Sequence, residues 1–144
     1  MPCKFCETKP VITLTNNKVN LCKSCFIRYF EKKAFKTIRN FNLIEKGNHI
    51  VVAVSGGKDS LSVLHLLNKL ANKKMDIKVT ALLIDEGIKG YRDKSMEDAK
   101  KYCKKNNIKL HIASYKNNFN KTLNEIKKQF PNTIACSMCG VLRR

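Results

Sequence analysis

The sequence predicts an α/β protein with a doubly wound parallel sheet, preceded by a small metal-binding module. From Asn48 onward, apolar runs alternate with amphipathic patterns in the order strand, helix, strand, which favours a parallel sheet. A glycine turn at residues 55–60 joins the first of these strands to its helix. Near the N-terminus, two Cys-x-x-Cys pairs have the spacing of a metal site.

The metal-binding module contains the pairs Cys3/Cys6 and Cys22/Cys25, which are separated by fifteen residues. Two thiolates from one tight turn fill half of a tetrahedral coordination sphere, and a returning hairpin supplies the other half. The apolar–polar–apolar pattern of residues 11–21 predicts that hairpin. Two disulfides are the alternative, but no signal peptide precedes the first pair. We therefore favour a structural zinc site.

The glycine turn reads Ser-Gly-Gly-Lys-Asp-Ser and precedes a helical pattern. Its glycines allow a tight turn in which consecutive N–H groups face one space, and the helix N-terminus adds partial positive charge. Lys58 brings an ammonium group, and Ser55 and Ser60 bring hydroxyls. The spacing is not that of a Walker loop. A phosphate is the predicted ligand, and a solvated Gly-Gly turn is the alternative.

A third pair, Cys136/Cys139, has no further thiol pair that would complete a zinc site. A redox dithiol, a persulfide carrier and two ligands of an iron–sulfur cluster all fit it. The seventh cysteine, Cys103, shares an apolar helical face with Met96 and Ala99. We expect it in the core, where free cysteine is common.

Residues 26–44 predict a connecting helix with a buried apolar stripe. The stripe consists of Ile27, Phe30, Ala34, Ile38 and Phe41. Basic residues occupy the gaps, namely Arg28, Lys32, Lys33, Lys36 and Arg39. This basic face suits a phosphate backbone and suits solvent equally well.

The overall charge is strongly positive, with 29 Lys and Arg against 11 Asp and Glu and a formal net charge of +18. Such an excess favours a polyanionic partner such as nucleic acid, although a lysine-rich proteome would give the same composition. No apolar run approaches the ~20 residues that cross a bilayer, so we expect no membrane segment.

In the α/β part, strands are predicted at residues 50–54, 77–84 and 108–113, and helices at 61–74, from Ser95 onward and at 120–130. The second helix is expected to begin at Ser95 because Ser-Met-Glu-Asp matches a capping box. Ligands of such sheets bind beyond the carboxyl ends of the strands. Asp85 and Glu86 follow the second strand, where they either help to hold Mg²⁺ or cap a turn.

Four motifs occur in order: the two cysteine pairs, residues 55–60, residues 84–93 (Ile-Asp-Glu-Gly-Ile-Lys-Gly-Tyr-Arg-Asp) and residues 136–144 (Cys-Ser-Met-Cys-Gly-Val-Leu-Arg-Arg). Residues 55–60 resemble the PP-loop of the ATP pyrophosphatases. The four motifs together resemble the TtuA/TtcA superfamily of tRNA thiolases, and within it the cytoplasmic tRNA 2-thiolation branch of archaea and eukaryotes. Relatives that thiolate ribothymidine usually lack the run at 84–93 and carry Lys where Arg143 stands.

The resemblance implies a HUP-like PP-loop fold and an ATP-dependent tRNA sulfurtransferase that uses Mg²⁺. ATP would adenylate the carbon-2 oxygen of the wobble uridine and release pyrophosphate. Sulfur would then attack that carbon and displace AMP, which leaves 2-thiouridine. The resemblance also implies tRNA as partner, a cytoplasmic location, and sulfide or a ubiquitin-like thiocarboxylate carrier as sulfur donor. A homodimer or a partner subunit is compatible with it.

Carried over residue by residue, the resemblance places ATP against Ala53, Ser55, Gly56, Gly57, Lys58, Asp59, Ser60, Ile84 and Arg143. It places the chemistry at Cys136, Cys139, Lys58, Asp59 and Arg143. Zinc would be bound by Cys3, Cys6, Cys22 and Cys25. Cys136 and Cys139 would be two ligands of a [4Fe–4S] cluster, and the third ligand would lie outside this chain.

The predicted organisation is a zinc module at residues 1–26, a connecting basic helix at 27–46 and the N-terminal part of an incomplete PP-loop domain at 47–144. Because relatives continue with the rest of that domain, we expect this portion alone to bind zinc, to bind ATP weakly and not to thiolate tRNA. Two other functions stay open: an amine-using PP-loop amidotransferase or lysidine-type ligase, and a non-catalytic tRNA-binding zinc module. Cys136/Cys139 argues against the amine chemistry, which needs no thiolates.

Overall fold

The computed structural model describes residues 1–73, 76–88 and 91–143, in two compact units, Met1–Glu45 and Lys46–Arg144. The first unit contains the antiparallel hairpin of β1 (Ile12–Thr13) and β2 (Asn20–Leu21) and the helix α1 (Lys23–Asn40). The predicted hairpin and helix are therefore both present, with shorter strands and an earlier helix start.

The core of the first unit consists largely of cysteine. Cys3, Leu21, Cys22 and Cys25 are buried together, and partly buried apolar side chains pack around them. So small an apolar core provides little hydrophobic stabilisation, and a unit of this size needs a metal or disulfides to fold by itself. The stripe predicted for α1 is buried only in part, because Ile27 and Phe30 are each 44% exposed.

The second unit is built on a three-stranded parallel sheet in the order β3-β4-β5. Its elements are β3 (His49–Ala53), α2 (Lys58–Ala71), β4 (Lys78–Asp85), α3 (Tyr91–Lys105), β5 (Lys109–Ser114), α4 (Tyr115–Phe119), α5 (Leu123–Gln129) and α6 (Ala135–Leu142). Strands that are neighbours in the sheet are also consecutive in the sequence. The described strands therefore form one half of the predicted doubly wound sheet, in which the strand order runs in a single direction. The central strand β4 reads as a nearly continuous apolar run, as expected of a buried parallel strand.

One face of the sheet packs against α2 and α3. Val52 of β3 and Leu83 of β4 belong to the same buried cluster as Leu64 of α2 and Ala99 of α3. Cys103 lies in this cluster and is 2% exposed, which confirms its predicted place in the core. Burial also raises the pKa of the Cys103 thiol, so this sulfur stays protonated and packs as a small apolar group.

All four predicted helix starts differ from the observed ones by three or four residues; α1 and α2 begin earlier than predicted, at Lys23 and Lys58. Helix α3 begins at Tyr91, so the residues read as a capping box at Ser95 lie inside the helix. Helix α5 begins at Leu123, because Asn120 adopts a left-handed conformation (φ 55°) that ends α4, and Thr122 caps the next helix. Helices α4 and α6 were not predicted.

Several sequence positions used in the predictions lie outside the described part of the chain. They are Lys74, the predicted end of the first helix after the glycine turn, together with Lys89 and Gly90 of the 84–93 motif, Arg144 of the last motif and the side chains of Tyr91 and Arg92. Within the described residues, no helix is both long enough and apolar enough to cross a membrane.

Candidate functional site

The four N-terminal cysteines converge on one point. The Sγ atoms of Cys3, Cys6, Cys22 and Cys25 all lie within 4.8 Å of one another. The Cys6 sulfur lies 3.4 Å from that of Cys22 and 3.6 Å from that of Cys25. Metal–sulfur bonds of ~2.3 Å in a tetrahedron place sulfurs about 3.8 Å apart. The cluster therefore has the dimensions of a four-thiolate metal site, and all four cysteines are free thiols.

The electrostatics of this cluster favour a bound cation. Hydrogen bonds, first from the Ser24 hydroxyl, lower the pKa of Cys22 to about 6. Burial, together with the neighbouring thiols, raises the pKa of Cys25 to about 12. Without a counter-ion the cluster thus favours the thiolate form of Cys22 and the protonated form of Cys25, because several negative charges cannot lie close together away from water. A divalent metal relieves that conflict, because it binds all four sulfurs as thiolates and offsets two of their four negative charges.

The glycine turn lies at the carboxyl end of β3, where the predicted phosphate loop belongs. The N–H of Gly57 donates to the Ser55 hydroxyl (3.4 Å), and the Ser60 hydroxyl donates to the Gly57 carbonyl (3.0 Å). These bonds hold the turn closed while its surface stays accessible. Gly57 caps α2 without any side-chain hydrogen bond, so the first N–H groups of α2 are available to an anion.

Gly56 is fixed by geometry. Its φ is +81°, and a Cβ at this position would overlap the main-chain carbonyl of Ser95 in α3. Only glycine therefore allows the loop to pass this closely beneath α3. The close approach explains why the turn needs its first glycine, whereas a Cβ on Gly57 would meet only the Ser55 hydroxyl, at 3.4 Å.

Four residues that the sequence assigned to ATP line one cavity of about 160 Å³ beside the loop. They are Ala53, Ser55, Ile84 and Arg143, and Val54 and Leu82 complete the lining. Strands β3 and β4 end here side by side, and Arg143, which follows α6, brings a positive charge to the same space. A cavity at the carboxyl ends of two parallel strands, with an arginine in its lining, suits part of a nucleotide.

Arg143 is held in place by Glu86. The guanidinium forms an ion pair with the Glu86 carboxylate, whose side chain is 1% exposed. The contact raises the pKa of Arg143. Asp85 accepts a hydrogen bond from the Gly87 N–H at 2.9 Å, which is the turn-capping role considered for it. The described contacts of this carboxylate pair thus go to Arg143 and to the turn, and sequence reasoning missed the Glu86–Arg143 pair.

Tyr115 connects the third cysteine pair to the sheet. It follows β5 directly and is 2% exposed. Its hydroxyl donates to the Cys139 carbonyl at 3.1 Å and lies 3.4 Å from the Cys139 sulfur. Burial and the contact with Cys139 raise the Tyr115 pKa to about 12, so the hydroxyl keeps its proton. No local sequence pattern indicates this contact.

Helix α6 carries both cysteines of the third pair. Cys136 and Cys139 are three residues apart and therefore lie on the same side of the helix. Cys136 is exposed and Cys139 half-buried. Lys58 and Asp59, which were expected at the phosphates, form an ion pair at 2.8 Å with both side chains about nine-tenths exposed. They border the loop and do not line the cavity.

A glycine loop that opens a helix of a parallel sheet, beside a cavity that an arginine lines, is the arrangement expected of the PP-loop class of proteins. The PP-loop domain family matches residues 28–130, and the chain belongs to this family. The match confirms the predicted fold class.

Among curated relatives, a tRNA-5-methyluridine(54) 2-sulfurtransferase of Pyrococcus horikoshii is 40% identical over 144 residues, which are all of this chain and 44% of that protein. Cytoplasmic tRNA 2-thiolation protein 1 of Aspergillus niger is 37% identical and is covered to 42%. The chain thus spans less than half the length of these relatives.

A solved structure is also similar. It is that of the U34-tRNA thiolase NcsA from Methanococcus maripaludis with its [4Fe–4S] cluster. The sequence identity is 31% and the TM-score 0.83, with 99% of this chain and 46% of that chain covered. These similarities confirm the resemblance to tRNA thiolation proteins that the motifs indicated.

Proposed function

We propose that this chain is the nucleotide-activating portion of an ATP-dependent tRNA 2-thiolation enzyme. One observation carries the proposal. Arg143 lines the cavity of Ser55 and Ile84 and directly follows the helix that bears Cys136 and Cys139. The second unit thus contains both a phosphate loop and a pair of thiols. An enzyme that first activates an oxygen with ATP and then replaces it with sulfur requires both.

The proposed reaction has two steps. The carbon-2 oxygen of a uridine attacks the α-phosphorus of ATP; an oxygen–phosphorus bond forms and pyrophosphate leaves. A sulfide sulfur then attacks carbon 2, and the carbon–oxygen bond breaks with release of AMP. The uracil oxygen is a poor leaving group until it carries the adenylyl group, so the ATP step must come first.

The residues of this chain bind and orient the nucleotide. The N–H groups that open α2 and the mobile ammonium of Lys58 would stabilise the negative charge that accumulates on the phosphates. Arg143, oriented by Glu86, would bind a phosphate oxygen. Mg²⁺ would accompany the triphosphate, as in most ATP sites. Ala53 and Ile84 would contact the nucleotide mainly through the backbone.

The two sets of cysteines would serve different metals. Cys3, Cys6, Cys22 and Cys25 fit a closed structural Zn²⁺ site, since four thiolates leave no open coordination position. Cys136 and Cys139 would provide two ligands of a [4Fe–4S] cluster, with the third outside this chain. When bound, such a cluster supplies an iron on which a sulfide can be held.

For the substrate we propose the wobble uridine of tRNA, as named for the similar thiolase NcsA. The second candidate is ribothymidine at position 54, because a sulfurtransferase for that nucleotide is 40% identical. The presence of the 84–93 motif and of Arg143 favours the first candidate. Sulfide or a ubiquitin-like thiocarboxylate carrier would provide the sulfur, and the enzyme would work in the cytoplasm, alone or as a dimer or with a partner subunit.

The test uses the 144-residue chain, alone and together with the C-terminal portion that its relatives carry. With both portions present, we expect tRNA-dependent release of pyrophosphate and, with sulfide, 2-thiouridine in digested tRNA analysed by mass spectrometry. The 144-residue chain alone should give no thiolated product. Methylated 2-thiouridine instead would assign position 54. Cys136→Ser should abolish the thiolated product; a variant with unchanged activity would exclude sulfur chemistry at this pair and favour an amine-using enzyme. No tRNA-dependent pyrophosphate release in any preparation would overturn the proposal.

A further inference from the structure

The first unit has a groove of about 610 Å³ that the proposed chemistry does not use. Four basic side chains of α1 line it: Arg28, Lys32, Lys33 and Lys36. Two aromatic side chains, Phe5 and Tyr29, line it as well. We call this surface the α1 groove. It combines positive charges with aromatic rings, whereas a helix face that only contacts solvent has no need of the rings.

The basic residues of the α1 groove form a row. Arg28, Lys32 and Lys36 are each four residues apart on α1, so they lie on one side of the helix at intervals of about 6 Å. Lysine and arginine can lay their apolar stems along a groove while their charged ends reach solvent. A row of this kind matches an extended polyanion better than it matches a single small anion.

The two aromatic residues of the groove differ in availability. The ammonium of Lys33 lies 5.7 Å from the centre of the Tyr29 ring, so a cation–π contact already occupies one face of that ring. Phe5 is 64% exposed. An exposed phenylalanine is costly in water and useful where a flat partner covers it, as an unpaired base does when it stacks.

The surroundings contain little opposing charge. Residues 1–45, all of which the structure describes, contain nine Lys and Arg and three Asp and Glu. None of the three carboxylates lines the groove, and Glu31, the one on α1, is 8% exposed. The groove therefore keeps a net positive potential even if four metal-bound thiolates add negative charge nearby.

We propose that the α1 groove binds an unpaired segment of RNA, with Arg28, Lys32 and Lys36 on successive phosphates and one base stacked on Phe5. The inference rests on the proposed function in one respect, namely that the bound RNA is tRNA. It goes further because it assigns a contact surface outside the nucleotide site. Charge complementarity favours a nucleic acid, and the exposed ring favours single-stranded RNA over a duplex, whose bases are already stacked.

The test measures binding of a fluorescein-labelled tRNA transcript to the 144-residue chain at several salt concentrations. The groove variant is Arg28→Gln/Lys32→Gln/Lys36→Gln. The matched control is Lys9→Gln/Lys18→Gln/Lys23→Gln, which removes the same charge from exposed positions of the same unit away from the groove. The zinc content and the helical circular dichroism of each variant, measured separately, report whether the first unit is intact.

The groove variant should bind the tRNA at least tenfold more weakly at about 150 mM salt. Its slope of log K against log[salt] should be about 2 smaller, since each phosphate contact contributes ~0.7 on single strands. The control should change affinity less than twofold. Phe5→Leu should weaken binding about tenfold without altering the slope, whereas Phe5→Tyr should bind normally, because only a ring can stack.

Three results would overturn the inference. The first is equal loss in the groove and control variants, which would make the attraction a property of overall charge. The second is a Phe5→Leu variant that binds as well as the original chain. The third is tighter binding of duplex RNA than of a single strand. None of these results bears on the proposed thiolation, which fails if no preparation releases pyrophosphate in a tRNA-dependent way, whether or not RNA binds the α1 groove.

Discussion

Glu86 and Arg143 are 57 positions apart in the sequence, and their side chains form an ion pair at the cavity beside the glycine turn. Glu86 stands directly after β4, and Arg143 directly after the helix of the third cysteine pair. The pair therefore couples the position of α6 to the carboxyl end of the central strand. The same region includes a hydrogen bond from the Leu123 N–H to the Glu86 carbonyl at 2.9 Å, which attaches α5 as well.

The first prediction concerns this ion pair. Arg143→Ala removes the cation from a carboxylate that is 1% exposed and should destabilise the chain by roughly 3 kcal/mol. Adding Glu86→Gln should restore most of that loss, because the buried charge is then gone. Urea denaturation of the two single variants and the double variant measures the coupling energy. Strictly additive effects would show that the pair does not contribute to stability.

The second prediction compares two glycines with nearly equal backbone angles. Gly56 has φ +81° and a Cβ there would collide with Ser95, whereas Gly47 has φ +84° and nothing within 4 Å of the same position. Gly47→Ala should therefore cost only the left-handed strain of about 1–2 kcal/mol. Gly56→Ala must in addition displace the loop from α3.

Binding of a fluorescent ATP analogue measures the consequence. Gly56→Ala should weaken the binding at least tenfold, and Gly47→Ala should leave it unchanged while both chains remain folded by circular dichroism. If Gly56→Ala bound the analogue normally, the nucleotide would not depend on the geometry of this loop.

Local chemistry made part of the site predictable from the sequence. The cysteine pairs and the glycine turn are formed by residues close together in the sequence, so their spacing narrows the ligands that they can bind. Tyr115 is different, because its hydroxyl reaches the Cys139 carbonyl across 24 positions. The hydrophobic periodicity of the sequence does not predict such a contact, because it forms only when the fold brings the end of β5 beside α6.

The fold was predictable to the level of element type and order. The strands are short apolar runs, and three of them lie within about one residue of their predicted bounds. Helix ends were less predictable, because more than one stretch of the sequence contains residues that can cap a helix. The Ser95 motif has the residues of a capping box, yet the helix begins at Tyr91, whereas Thr122 and Glu125 form a capping box in the structure. Tertiary packing decides between such signals.

The third prediction concerns the metal of the first unit. The chain purified with metal should contain one zinc ion held by the four N-terminal cysteines, and Cys22→Ser should lose it. Cys103→Ser is the matched control, because Cys103 lies in the core of the other unit. Elemental analysis measures the content, and limited proteolysis after chelation should cut within residues 1–45 first. Thiol titration that found these four cysteines oxidised would contradict the site.

The fourth prediction is a pH dependence of the cap of α5. Glu125 accepts a hydrogen bond from the Thr122 N–H at 2.7 Å, and its own N–H donates to the Thr122 hydroxyl at 3.2 Å. The first of these bonds is the main cause that lowers the pKa of Glu125. Because the folded pKa lies below the ordinary value of 4.5, the charged carboxylate stabilises the fold at neutral pH. That contribution falls as the pH drops through the folded pKa.

Glu125→Gln keeps an oxygen that can accept the Thr122 hydrogen bond but removes the charge. The original chain should therefore be more stable than Glu125→Gln at pH 7, and the difference should be smaller at pH 3, below the ordinary pKa of 4.5. Thr122→Ala, which removes the reciprocal partner of the cap, should cost about 1 kcal/mol at pH 7. Urea denaturation at both pH values measures all three chains. A difference between the original chain and Glu125→Gln that persisted unchanged at pH 3 would mean that packing, and not the carboxylate charge, distinguishes them.

The cap of α5 also lies against the turn that carries Glu86. The Thr122 Cγ2 atom would be 2.6 Å from a Cβ placed on Gly87. A loosened cap should therefore release this turn and reduce nucleotide affinity in parallel.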